Sequence, residues 1–194
     1  MNMQVGVLAL QGAFAAHSDC LASIGVQSIE VRTPEQLNSV DALLMPGGES
    51  STMSQLLESS GLFDPISTRI ADGMPVFGTC AGMILLASEI LDGRSDQRSF
   101  SAIDISVRRN AFGRQVDSFE ATVNSSVGDF HGVFIRAPRI ERVGEDVEVL
   151  GSINDEPVLV RQGNVLAASF HPELSNDARL HEYFVSITAN RKKV

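Results

Sequence analysis

This 194-residue chain is short of basic residues, has only two cysteines, and contains no hydrophobic run long enough to span a membrane. Its 15 Lys and Arg against 24 Asp and Glu give a net charge of −9, which argues against nucleic acid or an anionic membrane as the main partner. No basic segment precedes an apolar one at the N-terminus, so no signal peptide is predicted. Cys20 and Cys80 are therefore expected to be free thiols in a cytoplasmic protein.

Two cofactor signatures are also missing. Histidine and cysteine do not cluster at metal-ligand spacing, so no metal site is expected. No Gly-x-Gly-x-x-Gly opens a predicted helix, which argues against a dinucleotide, and no cofactor is predicted. The length and the 43% hydrophobic content fit one domain over residues 1–194.

The first half of the chain alternates apolar strands with helices, and the second half is mostly strands. Strands are predicted at 4–10, 28–32, 42–45, 75–78, 102–108, 119–124, 132–135, 147–153, 157–162 and 165–170. Helices are predicted at 12–24, from Thr33 in a short capping-box helix, and at 51–59, 63–71, 82–91 and 177–190. The predicted fold class is α/β, with a mostly parallel central sheet, helices on both faces and extra antiparallel strands in the second half.

Cys80 lies in Gly-Thr-Cys-Ala-Gly (78–82), between a predicted strand and a predicted helix. The flanking glycines permit a cramped turn that exposes the side chain, as in the nucleophile elbow of serine hydrolases. A helix N-terminus would favour the thiolate, and the N–H of Ala81 could face a developing oxyanion. Free cysteines are more often buried for packing, so this turn leaves a structural role open.

His171 and Glu173 stand two positions apart at the end of a predicted strand, where they would share one face. A histidine held by a carboxylate is the base that a cysteine nucleophile needs. A surface turn is the simpler interpretation of this pair taken alone. The other histidines, His17, His131 and His181, are interpreted as structural because they lie in predicted helices or just before a strand.

Three further segments are candidates for binding a substrate. In the loop Gly47 to Ser50, Gly48 could supply a second oxyanion N–H and Glu49 could accept from a cationic group, although Ser50 or Ser51 could simply cap the next helix. Arg109 and Arg136 each follow a predicted strand and could hold a carboxylate, but arginines at such positions are more often solvated.

Together these motifs resemble the class I, triad-type glutamine amidotransferases, and in particular the glutaminase subunits of pyridoxal 5′-phosphate synthases. The resemblance covers nearly the whole chain. It rests on Gly-Val-Leu-Ala-Leu-Gln-Gly (6–12), Arg-Thr-Pro-Glu-Gln-Leu (32–37), Leu-Met-Pro-Gly-Gly-Glu-Ser-Ser-Thr (44–52), Gly-Thr-Cys-Ala-Gly (78–82), Arg-Asn-Ala-Phe-Gly-Arg-Gln (109–115), Gly-Val-Phe-Ile-Arg-Ala-Pro (132–138) and Ser-Phe-His-Pro-Glu-Leu (169–174).

The resemblance implies a three-layer, flavodoxin-like fold and the hydrolysis of L-glutamine through a Cys80 thioester. His171 would be the base and Glu173 its orienting carboxylate, with Gly48 and Ala81 at the oxyanion. The residues implied to bind glutamine are Gly48, Glu49, Ser50, Arg109, Ile135 and Arg136.

The resemblance also implies a partner. Ammonia would pass to a (β/α)8-barrel synthase subunit that builds pyridoxal phosphate from ribose 5-phosphate and glyceraldehyde 3-phosphate, in an assembly of twelve and twelve. Docking would activate the glutaminase, with Gln11 and Gly12 near the contact. The polar segment 92–101 is longer than is usual in the family, so its contacts are not predicted.

Three alternatives stay open at this point. The chain could be a glutaminase for another synthase, for example in histidine biosynthesis, although 109–115 and 135–138 argue against that. It could be a cysteine hydrolase or peptidase-like protein on a related sheet. A non-catalytic binding module would predict a degraded triad, whereas all three residues are present.

Overall fold

A computed structural model of the chain describes residues 3–109 and 118–191. Strands in this part are Val5–Leu8 (β1), Ser28–Val31 (β2), Ala42–Met45 (β3), Val76–Thr79 (β4), Ala87–Ile90 (β5), Ile103–Arg108 (β6), Ser118–Ser125 (β7), Phe130–Ile135 (β8), Arg139–Val143 (β9), Glu148–Ile153 (β10), Glu156–Gln162 (β11) and Val165–Ala168 (β12). Helices are Phe14–Ser23 (α1), Pro34–Asn38 (α2), Ser50–Ser59 (α3), Phe63–Ala71 (α4), Ala81–Leu86 (α5) and Arg179–Arg191 (α6), with a 3₁₀ turn at Pro172–Leu174.

The main sheet joins a parallel half to an antiparallel half. Its order is β2-β1-β3-β4-β12-β11-β10-β7-β8, and the first five of these strands pair in parallel. The other four strands of this order, β11, β10, β7 and β8, pair antiparallel with their neighbours. Strands β5, β6 and β9 form a second, small sheet. The predicted α/β class, with a mostly parallel sheet and added antiparallel strands, is confirmed.

Helices cover both faces of the parallel half. On one face, Leu21 of α1 and Phe184 of α6 pack with Phe77 of β4 in one apolar cluster. On the other face, α2 to α5 contribute Met53, Ile66 and other side chains to a second cluster. A strand that is buried on both faces needs apolar side chains on both sides. For this reason β1, β3 and β4 are apolar at nearly every position.

Helix boundaries follow local chemistry that the sequence displays. The predicted capping box is present, since Thr33 accepts from the backbone N–H of Gln36 and the Gln36 side chain accepts from the backbone N–H of Thr33. Gly25 ends α1 with φ +74, a conformation that costs glycine little. Helix α3 differs from the prediction, because Glu49 is its N-cap in place of Ser50 or Ser51.

Two elements of the second half differ from the predictions. The predicted helix 82–91 ends at Leu86, and its last residues form β5, which pairs with β6 through Ala87 and Ile103. Strand β9 was not predicted, because its exposed positions are charged. In the described part of the chain, no helix combines the length and the apolar character needed to cross a membrane.

Candidate active site

The carboxyl ends of β1, β3, β4 and β12 lead into loops that surround one cleft of about 340 Å³. Binding sites of open α/β sheets form beyond these ends. The cleft is lined by every residue that was predicted to act in catalysis or in glutamine binding, except Ala81 and Glu173. Its lining is Gln11, Gly48, Glu49, Ser50, Cys80, Ile84, Arg109, Ile135, Arg136 and His171.

Cys80 occupies a strained turn between β4 and α5. Its φ of 50° and ψ of −104° are unfavourable for a residue with a side chain, and its N–H donates to Ala168 O at 2.8 Å. Helix α5 begins at Ala81, so the N–H of that residue belongs to a first turn that has no intrahelical acceptors. This geometry matches the predicted elbow, with a thiol that is buried but lines the cleft.

Two glycines allow the close approach of the elements around this turn. A Cβ on Gly47 would lie 2.5 Å from His171 Cε1 and 3.3 Å from Cys80 Cβ. A Cβ on Gly82 would lie 2.2 Å from the backbone oxygen of Met45, which cannot move away easily. The small residues of both loops therefore let the thiol and the imidazole meet.

His171 and Glu173 meet, although they do not share a strand as predicted. Strand β12 ends at Ala168, and Glu173 lies in the 3₁₀ turn that follows His171. The turn brings His171 Nδ1 within 2.7 Å of Glu173 Oε1, and because a carboxylate only accepts, Nδ1 donates. The other ring nitrogen, Nε2, takes no part in the bond to Glu173, and Cys80 lies beside the imidazole in the same cleft.

The electrostatics of this group favour a charged imidazole. Burial lowers the pKa of His171, but the hydrogen bonds and charges of Cys80 and Glu173 outweigh it and raise the pKa to about 10. Burial also raises the pKa of Glu173, yet the hydrogen bond from His171 and the field of neighbouring imidazoles bring it below its ordinary value. At neutral pH the site therefore holds an imidazolium between a sulfur and a carboxylate.

Glu49 and Arg109 form an ion pair across the cleft, with Arg109 Nη2 donating to Glu49 Oε1 at 2.8 Å. The Glu49 carboxylate also accepts from the N–H groups of Ser51 and Thr52 in the first turn of α3. Desolvation raises the pKa of Glu49, but these hydrogen bonds and the Arg109 charge outweigh it and place the pKa below its ordinary value. Ser50 Oγ beside them is buried, with no hydrogen-bond partner among the described residues.

The segment 92–101 takes part in this network, which the sequence did not indicate. Gln97 Oε1 accepts from Arg109 Nη1 at 3.2 Å, and Asp92 Oδ1 accepts from the Arg109 N–H at 2.7 Å. Arg98 lies over the Phe63 ring at 3.7 Å and bonds Glu58. The segment is thus packed on α3 and α4 and orients Arg109 toward the cleft.

The remaining predicted residues lie around the opening of the cleft. Ile135 ends β8, and Arg136 follows it, exposed and with φ +45. The hairpin of β7 and β8 is connected to the site, because Val133 O accepts from the His171 N–H at 2.9 Å. Gln11 Oε1 accepts from the N–H of Glu49, directly beside Gly48. Of the predicted run 109–115, residues 110–115 lie outside the described residues.

Two histidines interpreted as structural lie directly behind the site. His17 and His181 are both fully buried, and His17 Nε2 is 3.3 Å from Glu173 Oε2. A sequence signal did exist, since His17 is four residues before Leu21 and His181 is three before Phe184, on helix faces that pack on the sheet. That spacing indicates burial but could not reveal that both helices converge on Glu173.

Comparison with known proteins agrees with this geometry. Residues 7–190 match the family model described as the SNO glutamine amidotransferase family. The chain belongs to this family. It is 57% identical over 191 residues to "Pyridoxal 5'-phosphate synthase subunit PdxT" of Salinispora arenicola, covering 94% of this chain and 95% of that protein. The protein of the same name from Mycobacteroides abscessus is 56% identical over 189 residues, covering 96% and 98%.

A solved structure gives the same result for the fold. A crystal structure described as a glutamine amidotransferase superposes with a TM-score of 0.91 at 51% identity, covering 95% of this chain and 98% of that one. The predicted family and the predicted fold are thereby confirmed for this amidotransferase chain.

We expect the two buried histidines to lower the stability of the amidotransferase in mild acid. Burial lowers the pKa of His17 to about 3 and that of His181 to about 4. Because the unfolded chain takes up these protons near pH 6.5, the stability that the neutral rings contribute is present above that pH and is lost as pH falls toward 4 and 3. We expect each ring to cost about 2 kcal/mol of unfolding free energy between pH 6.5 and 5.

Urea denaturation at several pH values between 5 and 7 measures this loss. His171 acts in the opposite direction, because its ring is charged in the folded state throughout this interval whereas the unfolded chain takes up that proton near pH 6.5. It therefore offsets part of the loss, and it does so equally in the wild type and in both variants below. Glu173 contributes only near and below its ordinary value. His181→Gln should reduce the slope of the unfolding free energy against pH by about half. His131→Gln changes an exposed histidine that pairs with Glu120, and it should leave this slope unchanged. Equal slopes in all three proteins would contradict the prediction.

Proposed function

We propose that this chain is the glutaminase subunit of a pyridoxal 5′-phosphate synthase, which hydrolyses L-glutamine to L-glutamate and ammonia. The observation that carries the proposal is the series Cys80, His171 and Glu173, in which the first two line the cleft and the last two are joined by a 2.7 Å hydrogen bond. A thiol, a histidine and a carboxylate in this order supply the nucleophile, the base and the group that orients the base for acyl transfer through a thioester. Relatives at 56–57% identity carry the name of a pyridoxal 5′-phosphate synthase subunit, which favours this synthase over others.

The cleft offers charges of both signs for a free amino acid. Glu49 would accept from the α-ammonium of glutamine, and Arg109 would donate to its α-carboxylate. A carboxylate offers about four acceptor sites, and Ser51, Thr52 and Arg109 use three of them in Glu49, so one more donor can be held. Gly48, Ser50, Ile135 and Arg136 complete the lining around the substrate.

In the first half-reaction, the Cys80 sulfur attacks the side-chain amide carbon of glutamine. A C–S bond forms while the carbonyl electrons move to oxygen, where the N–H groups of Gly48 and Ala81 would donate to the oxyanion. The C–N bond then breaks, and the His171 imidazolium gives its proton to the leaving nitrogen. Ammonia departs, and a glutamyl thioester and a neutral His171 remain.

In the second half-reaction, water completes the hydrolysis. Neutral His171 takes a proton from a water molecule as its oxygen attacks the thioester carbon, again through an oxyanion. The C–S bond breaks, glutamate leaves, and the sulfur and the imidazolium return to their starting pair. Glu173 keeps Nδ1 of His171 protonated in both steps, so Nε2 exchanges the proton.

The partner of this single domain, residues 1–194, would be the (β/α)8-barrel synthase subunit, in an assembly of twelve and twelve in the cytoplasm. The barrel would use the ammonia with ribose 5-phosphate and glyceraldehyde 3-phosphate. The glutaminase step needs no metal or cofactor, because the thiol and the imidazole supply the nucleophile and the proton. Gln11 and Gly12 stand beside Gly48, so docking at their loop would adjust the oxyanion donors.

The test is glutamate release from L-glutamine by the chain alone and mixed with the synthase subunit. One oxyanion donor is worth about 100-fold in kcat, so completion of the hole on docking should raise the rate by about that factor. A folded chain that stays inactive in the mixture would remove the pyridoxal phosphate assignment. Release of ammonia that needs a different synthase would favour the second candidate, a glutaminase of another pathway, and cleavage of peptides would favour a hydrolase.

A further inference from the structure

A pair of buried histidines connects helices α1 and α6 behind the catalytic residues Cys80, His171 and Glu173. His17 Nδ1 and His181 Nε2 are 2.9 Å apart, although 164 residues separate them in the chain. Their ring centroids are 5.2 Å apart, and both side chains are fully buried. Two adjacent buried imidazoles are costly unless their hydrogen bonds are satisfied, so their arrangement calls for a physical reason.

His17 faces the carboxylate oxygen of Glu173 that does not bond His171. Glu173 Oε1 accepts from His171, whereas Oε2 is buried and has no well-aligned hydrogen bond within residues 3–109 and 118–191. His17 Nε2 is 3.3 Å from Oε2 and 3.1 Å from Thr79 Oγ1. The aligned contact of Nε2 is the one with the Thr79 hydroxyl, and Glu173 Oε2 lies close enough that a short adjustment would bring it into a hydrogen bond with the same N–H.

Two arguments fix the tautomers of both rings. A lone pair on His17 Nε2 would face the Glu173 carboxylate and repel it, so Nε2 carries the hydrogen. Nδ1 of His17 then accepts, and the contact at 2.9 Å requires a hydrogen on His181 Nε2. The opposite assignment would also bury an N–H at His181 Nδ1, an atom without a partner among the described residues.

We propose that His17 is a positioning residue, whose Nε2–H holds the second oxygen of Glu173, and that His181 fixes the tautomer of His17. The hydrogen bonds then run in one direction, from His181 to His17, to Glu173, and on to His171 through the carboxylate. This proposal rests on the proposed glutaminase function, because it assigns both histidines to the orientation of the same base.

The effect on the reaction follows from the carboxylate. With both oxygens held, Glu173 cannot rotate away from His171, and its charge stays available to the imidazolium. Without His17, an oxygen of a buried carboxylate loses its nearest donor, and the carboxylate becomes easier to protonate. The ionisable groups within the field of Glu173 are His17 and, farther along α1, Cys20, together with His181 on α6 and His171, which lies between Glu173 and Cys80.

The experiment compares His17→Gln with His17→Leu, two side chains of similar size of which only Gln keeps an N–H near the Nε2 position. Glutamate release is measured with the synthase subunit present, over pH 5 to 9. Since groups that orient a reactive ligand or base are worth about 10- to 100-fold, we expect kcat to fall by at least tenfold in His17→Leu with KM unchanged. His17→Gln should stay within about threefold of wild type.

The pH profile separates positioning from packing. In His17→Leu, the acid limb of kcat should move to higher pH, because Glu173 is protonated more readily. It should not move in His17→Gln or in the exposed control His131→Gln. His181→Leu should act in the same direction as His17→Leu, and it serves as the second variant if His17→Leu does not fold.

A third readout does not depend on glutamine. The rate at which iodoacetamide alkylates Cys80 reports the imidazolium beside it, and it should fall in His17→Leu and recover in His17→Gln, with or without glutaminase activity. Equal activities and alkylation rates in the three proteins would overturn the proposal. Equal losses in Leu and Gln with an unshifted acid limb would overturn it as well, since they indicate packing alone.

Discussion

Replacement of Cys80 by alanine is expected to abolish glutamate release, with a loss in kcat of about 10⁴-fold or more in the presence of the synthase subunit. The thioester cannot form without the sulfur, and the oxyanion donors and the binding groups alone supply only a small part of the rate. Docking should persist, because Cys80 is 6% exposed and can offer little surface to a partner.

The matched control for this experiment is Cys20→Ala. Cys20 is the other thiol of the chain, half-buried on α1 and outside the cleft, so its loss should leave turnover unchanged. Alanine accepts the positive φ at position 80 no worse than cysteine, and circular dichroism with thermal unfolding checks that both variants fold. Substantial turnover in Cys80→Ala would show that another group is the nucleophile.

The local chemistry of the site could be predicted from sequence because it depends on short motifs. The glycines at 78 and 82 indicated the elbow of Cys80, and the spacing of His171 and Glu173 indicated their contact even though the backbone there is a 3₁₀ turn. All six predicted glutamine-binding residues line the cleft. Each of these signals lies within a few residues, where propensity and sterics act directly.

What could not be predicted depends on contacts between distant segments. The run after Leu86 has helical composition, but Ala87 pairs with Ile103 in a small sheet, and this pairing outweighs local propensity. The role of Gln97 beside Arg109 depends on how segment 92–101 packs. His17 and His181 meet only because α1 and α6 cover the same face of the sheet, and no local sequence pattern predicts that the two helices lie side by side.

His171→Asn should have the second-largest effect, a fall in kcat of about 10³-fold or more. Asparagine fits the space that Gly47 leaves, and it can still donate to Glu173, but it cannot carry a proton between the sulfur and the leaving nitrogen. The variant therefore separates orientation, which it keeps, from proton transfer, which it loses.

Alkylation of Cys80 tests the charge argument in the same variant. Since the pKa of His171 is raised to about 10, the imidazolium persists across neutral pH in the wild type, and its charge should speed alkylation of the sulfur beside it at pH 7. In His171→Asn, which carries no charge at this position, the alkylation rate at pH 7 should be lower. Equal alkylation rates in the two proteins would mean that the imidazole is neutral at rest. His171 would then have to act first as a base toward the thiol, and the proton it gives to ammonia would come from Cys80 itself.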